Sequence, residues 1–372
     1  IRPRDWSSDV CSSDLYVGED LIICTDIVKQ HRARGLGGDR KGFRAVDRVS
    51  LSIPRNSIFG LVGESGCGKT TLARAVLWLD PPTSGKVLFD GTDLGSLKKA
   101  EMRKFRKRMQ IVFQDPNNAM DPKMTVYDSL CEGLVNLRVP PREREEKIKT
   151  LLDHVGISFN HRTRYPHEFS GGQKQRIVIA RALSMDPDFL LLDEPVSNLD
   201  VSIQAQIINL LMDLKEEYHL TYLFISHDLN LVSYLADRTA VMYRGRIVEQ
   251  GETEGLVAAP LHPYTVKLFS SVPGAKRTAG AGILAAGDKT RAGETATGTT
   301  AAAADTPPEP RARFGRSKQR QPAQPAVSSA AQPSGGCPYY PNCGKRIPAC
   351  LERAPELSDT GSGHLVSCIN IS

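Results

Sequence analysis

The sequence has no apolar run approaching the roughly 20 residues that a membrane-spanning helix requires. Its longest uniformly apolar segments, such as Phe189–Leu192 and Tyr222–Ile225, have the length of a strand. Any role at a membrane must therefore come through partners. The N-terminal stretch also lacks the hydrophobic middle of a signal peptide. Asp5–Leu15 has no apolar period and resembles the in-frame translation of a sequencing adapter, so residues 1–15, with Trp6 and Cys11, are expected to be non-native. The native chain is then expected to begin near Tyr16, with its true N-terminus missing. A basic surplus spread over the chain is lacking too. The net charge is +6, but residues 275–334 carry nine Lys/Arg against four Asp/Glu and so supply five of it. The near-neutral remainder argues against a nucleic-acid partner. The basic stretch is of low complexity (Ala301–Ala304, Pro307–Pro310, Gln321–Pro325), and residues 274–336 are expected to be a disordered linker.

Of the eight cysteines, Cys24, Cys67 and Cys131 sit in apolar or glycine-rich contexts. Cys67 reads as a small filler. Cys337, Cys343, Cys350 and Cys368 fall within the last 36 residues, spaced C-x5-C-x6-C-x17-C. Such a cluster suggests metal before disulfides. Four thiolates suit an iron–sulfur cluster or a tetrahedral zinc, and plain thiols are the third alternative. Spacing wider than paired C-x-x-C favours iron–sulfur. The segment has few large apolar residues, so residues 337–372 are expected to form a small metal-dependent tail that the linker isolates from the nucleotide.

Strand-like segments at Leu21–Thr25, Val49–Ile53 and Ile58–Val62 lead into a glycine-rich loop, followed by a helix from Lys69 to about Leu79. Val87–Phe89 and Gln110–Phe113 read as further strands. Residues 124–184 read mostly as helix. Strand and helix then alternate: Phe189–Leu192, Ser202–Tyr218, Thr221–Ile225, Leu229–Ala236 and Thr239–Tyr243. Buried strands alternating with helices predict an α/β fold with a mostly parallel sheet, interrupted by an inserted helical subdomain.

Gly63-Glu64-Ser65-Gly66-Cys67-Gly68-Lys69-Thr70 satisfies G-x-x-x-x-G-K-[ST] between a strand and a helix, the context that supports a phosphate-binding loop. Glycines let successive N–H groups turn toward phosphate oxygens, and the helix N-terminus adds its dipole. Lys69 is expected on the β- and γ-phosphates and the Thr70 hydroxyl on Mg²⁺. The candidate nucleotide set is Gly63, Glu64, Ser65, Gly66, Cys67, Gly68, Lys69, Thr70 and Thr71. The apolar strand Phe189–Leu192 ends in Asp193 and Glu194. In phosphoryl-transfer sites of this type the first carboxylate holds Mg²⁺ and the second polarises the attacking water.

Ser170-Gly171-Gly172-Gln173, ahead of the basic Lys174-Gln175-Arg176, resembles the signature of the ATP-binding-cassette ATPases. The resemblance implies a P-loop NTPase core with a small antiparallel N-terminal β part. It also implies ATP and Mg²⁺ as cofactors, and composite sites in which Ser170, Gly171, Gly172 and Gln173 serve a partner's γ-phosphate. Gln114 then matches the glutamine that joins the metal and water shell and couples to the membrane domain. Ser197-Asn198-Leu199-Asp200 matches the loop that meets the partner, with asparagine where the family more often has alanine. His227 matches the switch histidine.

The phrases His167–Gln173, Val241–Tyr243, Arg246–Glu249 and His262-Pro263-Tyr264-Thr265 are similar to the oligopeptide/dipeptide importer branch. Glu194–Ser197 and Tyr222–His227 are nearer the second of its two ATPase types. The implied partners are a related second ATPase subunit, two membrane permease subunits and, indirectly, an external binding protein. The implied place is the cytoplasmic face of the inner membrane, and the cargo peptide, with nickel or glycosides carried by close relatives. In some members a similar cysteine tail is associated with a [4Fe–4S] cluster, here on Cys337, Cys343, Cys350 and Cys368. The cassette is expected over residues 16–273, with the helical subdomain at about 115–184. The adenine-stacking residue is left between His31 and Phe43. A non-transport ATPase is disfavoured by the single cassette and because Lys69 and Asp193 are 124 residues apart, which fits a compact insert and not a coiled coil. A non-hydrolysing, redox-regulated scaffold is disfavoured because Glu194 and His227 are both present.

Overall fold

The computed structural model describes residues 20–31, 43–270, 336–361 and 363–371. The expected adapter segment, the insertion after His31 and nearly all of the expected linker lie outside the described residues. Strands β1 (Asp20–His31), β2 (Phe43–Pro54), β4 (Ser84–Phe89) and β5 (Thr92–Asp93) form an antiparallel sheet in the order β2-β1-β4-β5. The first two run well beyond the apolar segments that announce them. Asp26 and Arg48 have φ of 49° and 54°, and a register shift between Cys24 and Ile27 breaks the alternation that would have revealed the full strands.

The second sheet has eight strands among the described residues, and at its edge β11 (Ser358–Asp359), β12 (Leu365–Val366) and β10 (Arg246–Glu252) lie side by side in that order. Its centre is β3 (Ile58–Val62), β6 (Met109–Val112), β7 (Phe189–Asp193), β8 (Thr221–Ser226) and β9 (Arg238–Tyr243). Adjacent members of this group are parallel. Every residue of β3, β7 and β8 is buried, as expected of strands covered on both faces. Alternation assigns the faces. Ile58, Val62, Leu190, Leu192, Tyr222 and Phe224 join one hydrophobic cluster, while Phe59, Leu61, Phe189, Leu191, Leu223 and Ile225 join the other.

The second cluster includes residues of the N-terminal sheet and of α1 (Lys69–Val76), with Met102 of α2 (Lys99–Arg108). The first cluster takes in the helical region: α3 (Pro116–Ala119), α4 (Val126–Asn136), α5 (Pro141–His154) and α6 (Gly171–Leu183). It continues through α7 (Val201–Tyr218), α8 (Leu229–Leu235), α9 (Thr253–Ala258) and α10 (Pro263–Ser270). No described helix is long and apolar enough to cross a membrane.

Strand β10 (Arg246–Glu252) had not been expected as a strand; it runs antiparallel to β9. The C-terminal segment, with α11 (Ala349–Glu352), β11 (Ser358–Asp359) and β12 (Leu365–Val366), differs from the isolated tail expected of it. Leu365 and Val366 pair with Gln250 and Glu249 of β10, and Val366 and Tyr339 are buried. Too poor in apolar residues for a core of its own, the segment shares that of the main body.

Candidate functional site: a phosphate loop beside a carboxylate pair

The parallel strands deliver their carboxyl ends to one edge of the sheet, and the chemically distinctive residues gather there. After β3 the chain turns at Gly63, whose φ is 153°; a Cβ there would lie 2.2 Å from the carbonyl oxygen of Met242. At Gly68, φ is 114° and a Cβ would lie 2.3 Å from Ala45 O. Only glycine fits either place. Lys69, at the start of α1, is buried and donates from Nζ to Gly63 O (2.7 Å) and Glu64 O (3.0 Å). Cys67 is buried and its thiol is pushed up by burial, in keeping with a filler.

Thr70 donates from Oγ1 to Asp193 Oδ1 at 3.2 Å. Burial pushes the Asp193 carboxyl above its ordinary range, the Thr70 hydroxyl opposes this, and the neighbouring Glu194 adds to the rise. Glu194, the next residue, has a φ of 48°, unusual for a side chain of its size. Its N–H donates to Ile225 O at 3.0 Å. Gln114, just beyond β6, donates from Nε2 to Glu194 Oε2 at 3.0 Å, and His227 Nδ1, just beyond β8, lies 3.3 Å from Glu194 Oε1. Three strand ends thus bring Gln114, Glu194 and His227 together, next to the Thr70–Asp193 pair. A hydroxyl and carboxylates are hard oxygen donors of the kind Mg²⁺ prefers, so these residues fit that ion.

Ser170 caps α6: its Oγ accepts from Gln173 N (3.4 Å), and Gln173 Oε1 accepts from Ser170 N (3.1 Å). Gly172 is required by packing, since a Cβ would lie 2.5 Å from Ile203 of α7. Ser170, Gly171 and Gln173 face outward, and among the described residues no hydrogen bond or ion pair links them to Lys69, Thr70, Asp193 or Glu194. Nearby Val201 is 81% exposed. His31 and Phe43 face each other as a register pair between β1 and β2, and Phe43 is exposed. Phe43 lies two residues along β2 from Ala45, the residue that meets Gly68.

The four C-terminal cysteines line one small cavity with His262 and Tyr339. Burial pushes the Cys337 and Cys368 thiols up, and the other cysteines add to this. Among the described residues no group of three or more His, Cys, Asp or Glu is placed to hold a metal ion. The iron–sulfur or zinc expectation is therefore not supported by the arrangement of the side chains.

Sequence reasoning missed three residues. Tyr264 Oη accepts the Glu64 N–H of the phosphate loop at 3.1 Å. Glu249, fully buried, accepts from Leu261 N (2.8 Å) and His262 N (3.0 Å) and lies 2.7 Å from His364 Nε2. His262 Nδ1 accepts from Tyr264 N at 3.1 Å and caps α10. The family-like phrases Arg246–Glu249 and His262-Pro263-Tyr264, the latter with proline at the first helical position, were the signals available.

Residues 46–197 match the family model described as ABC transporter. Residues 248–299 and 304–350 match that of the oligopeptide/dipeptide transporter, C-terminal region. The oligopeptide transport ATP-binding protein AppF of Bacillus subtilis is 40% identical over 354 residues, 94% of this chain and 97% of the relative. A putative peptide import ATP-binding protein of Brucella ovis is 43% identical over 327 residues, 88% of this chain and 92% of the relative. Among solved structures, cbiO1 of Clostridium perfringens, part of an ABC transporter complex, superimposes with a TM-score of 0.57 at 29% identity, covering 64% of this chain and 92% of that chain. A dimeric ATP-binding cassette in a post-hydrolysis state with ADP and Pi gives 0.56 at 27%, covering 62% and 98%.

Proposed function

The chain belongs to the ABC transporter ATPases of the oligopeptide/dipeptide type, and from that membership we propose that it powers uptake of di- or oligopeptides through membrane permease partners. It is an ATP-hydrolysing subunit. The observation that carries the assignment of roles is the convergence of Gln114, Glu194 and His227 beside Thr70 and Asp193, at the mouth of the glycine loop.

In this reading Gly63–Thr71 enclose the phosphates of ATP, and Lys69 exchanges its two carbonyl acceptors for β- and γ-oxygens. Thr70, Asp193 and Gln114 would hold Mg²⁺, and the ion, when bound, would neutralise phosphate charge. Glu194 takes a proton from the attacking water. His227, touching the same carboxylate, holds it in place and meets the γ-phosphate. Phe43 is the better candidate for stacking on adenine, because its strand touches the loop at Gly68.

Each site is completed by a second cassette. The outward-facing Ser170–Gln173 helix start and the exposed Val201 support this, because they present an anion-binding N-terminus and an apolar residue to a neighbour. The groove between β6 and the helical region, lined by Phe113, Ala119, Glu132, Gly133 and Met185, is the proposed seat of a permease segment. Docking there puts the chain at the cytoplasmic face of the membrane. The finer proposal of one [4Fe–4S] cluster on Cys337, Cys343, Cys350 and Cys368 rests on the four thiols lining one cavity, although as placed they form no metal site. Iron and sulfide analysis after anaerobic purification tests it, and freely alkylated, metal-free cysteines would remove it. For the composite site, the purified chain is expected to be a poor ATPase whose turnover rises when the related cassette and two permease subunits are added. High turnover per molecule that persists on dilution would refute it.

A further inference from the structure

The peptide unit joining Gly63 to Glu64 is gripped from both sides. Lys69 Nζ donates to its carbonyl oxygen at 2.7 Å, and its N–H donates to Tyr264 Oη at 3.1 Å. Turning that peptide would move the resting point of the Lys69 ammonium and the entry of the loop. Tyr264 lies 200 residues further along the chain and is buried at 1% exposure. Burial pushes its phenol above the ordinary range, so the hydroxyl keeps its proton and accepts through oxygen. Its own N–H is anchored on His262 Nδ1.

Behind Tyr264 stands Tyr339 of the C-terminal segment, 4% exposed, with ring centroids 5.5 Å apart at 60°. Tyr339 also meets Tyr243 edge-on at 5.3 Å, and Tyr243 meets Tyr264 at 4.5 Å. Further along, the same segment is fastened to β10 by His364 on Glu249 and by the pairing of Leu365 and Val366. Core packing accounts for three buried rings. It does not account for the hydroxyl of one of them being directed at the phosphate loop.

We propose that Tyr264 is a positioning residue of the phosphate loop and that the C-terminal segment, through Tyr339, holds it there, so that the seating of this segment sets ATP affinity. The inference rests on the reading that Gly63–Thr71 bind ATP. Without the Tyr264 hydroxyl the Glu64 N–H must turn to water, and the loop samples orientations in which Lys69 and the glycine amides no longer converge.

The test is Mg²⁺-dependent binding of a fluorescent ATP analogue to the full chain, with KM and kcat for ATP in the assembled transporter. Tyr264→Phe keeps the ring and deletes one acceptor. It is expected to raise Kd and KM roughly 3- to 10-fold, the worth of one net hydrogen bond, with kcat within about twofold. Its melting temperature should fall by only a few degrees. Tyr339→Ala should raise Kd similarly, and Tyr339→Phe should restore the wild-type value. Wild-type affinity in Tyr264→Phe overturns the proposal, whatever Tyr339→Ala does to folding. A fall in kcat at unchanged KM also overturns it, because the hydroxyl would then act on chemistry. A wild-type chain that binds no ATP removes the nucleotide reading itself, a distinguishable failure.

Discussion

Lowering the pH should weaken this fold through one residue, His262, and the effect can be worked through. The imidazole is 2% exposed, and burial holds its pKa at about 4, against an ordinary 6.5. The unfolded chain therefore binds a proton near pH 6.5 that the folded chain refuses until about pH 4. Stability from neutral His262 is fully present above pH 6.5 and is lost as the pH falls through that window. The full shift is worth about 3 kcal/mol, of which about 2 kcal/mol is lost between pH 7.5 and pH 5. The cause is geometric. Nδ1 accepts the Tyr264 N–H, so a protonated ring would set donor against donor and uncap α10. Glu249 accepts the His262 backbone N–H at 3.0 Å, but its oxygens already serve that group, the Leu261 N–H and His364. Tyr339 meets the ring without offering a counter-charge, and Lys345 and Arg346, which line the same cavity, are themselves cationic. The control is His262→Asn, which keeps a capping acceptor but cannot titrate. Urea midpoints at pH 7.5 and pH 5 should fall further for the wild type than for the variant, by the equivalent of about 2 kcal/mol. Equal losses in the two proteins would refute the argument and move the acid sensitivity elsewhere.

Three further outcomes are expected. Glu194→Gln should bind ATP yet release phosphate roughly 10²–10⁴-fold more slowly in the assembled complex, the usual cost of losing a general base; near-normal turnover would assign the base elsewhere. Gly63→Ala should abolish Mg·ATP binding, because its Cβ would meet the Met242 carbonyl at 2.2 Å; a variant that binds ATP normally would show that the loop tolerates a shift there. Glu249→Ala strands two backbone N–H groups and His364, and should destabilise the chain by roughly 2–4 kcal/mol. Limited proteolysis should then cut the C-terminal segment first, and an unchanged cleavage pattern would show that Glu249 does not fasten that segment to β10.

What could be read from the sequence was what is local in it. The phosphate loop, the strand ending in Asp193-Glu194 and the Ser170 helix start are each written in a handful of consecutive residues, and the buried strands β3, β7 and β8 announce themselves as apolar runs. Strand β10 does not. Glu249 and Gln250 occupy buried positions in it, so the apolar pattern is interrupted by a carboxylate whose partners come from residues 261, 262 and 364. The support of the loop by Tyr264 depends on a contact across 200 residues and leaves no periodicity to detect. The C-terminal segment misleads for a related reason. Counting its apolar residues shows correctly that it lacks a core, but not that Tyr339 joins an existing one and that Val366 is buried against β10.

The contacts at the strand ends also bear on how the proposed site would work. Lys69 rests on two loop carbonyls, Thr70 on Asp193, and Gln114 and His227 on Glu194. Each bond is one that a phosphate oxygen, a metal ion or a water would replace, so nucleotide binding exchanges partners at a site already assembled. Exchange limits the net gain, since every new bond displaces an old one. It also means that little side-chain ordering remains to be done when ATP arrives. Glu194 is the exception to this comfort. Its backbone is held at φ 48°, a conformation costing roughly 1–2 kcal/mol for a non-glycine residue, and its N–H is fixed on Ile225 of the neighbouring strand. Glycine would adopt that turn without strain. Positive φ alone does not mark a site, since Trp78 and Arg244 share it; what sets Glu194 apart is that its carboxylate lies within reach of both Gln114 and His227, as the proposed role in polarising water requires.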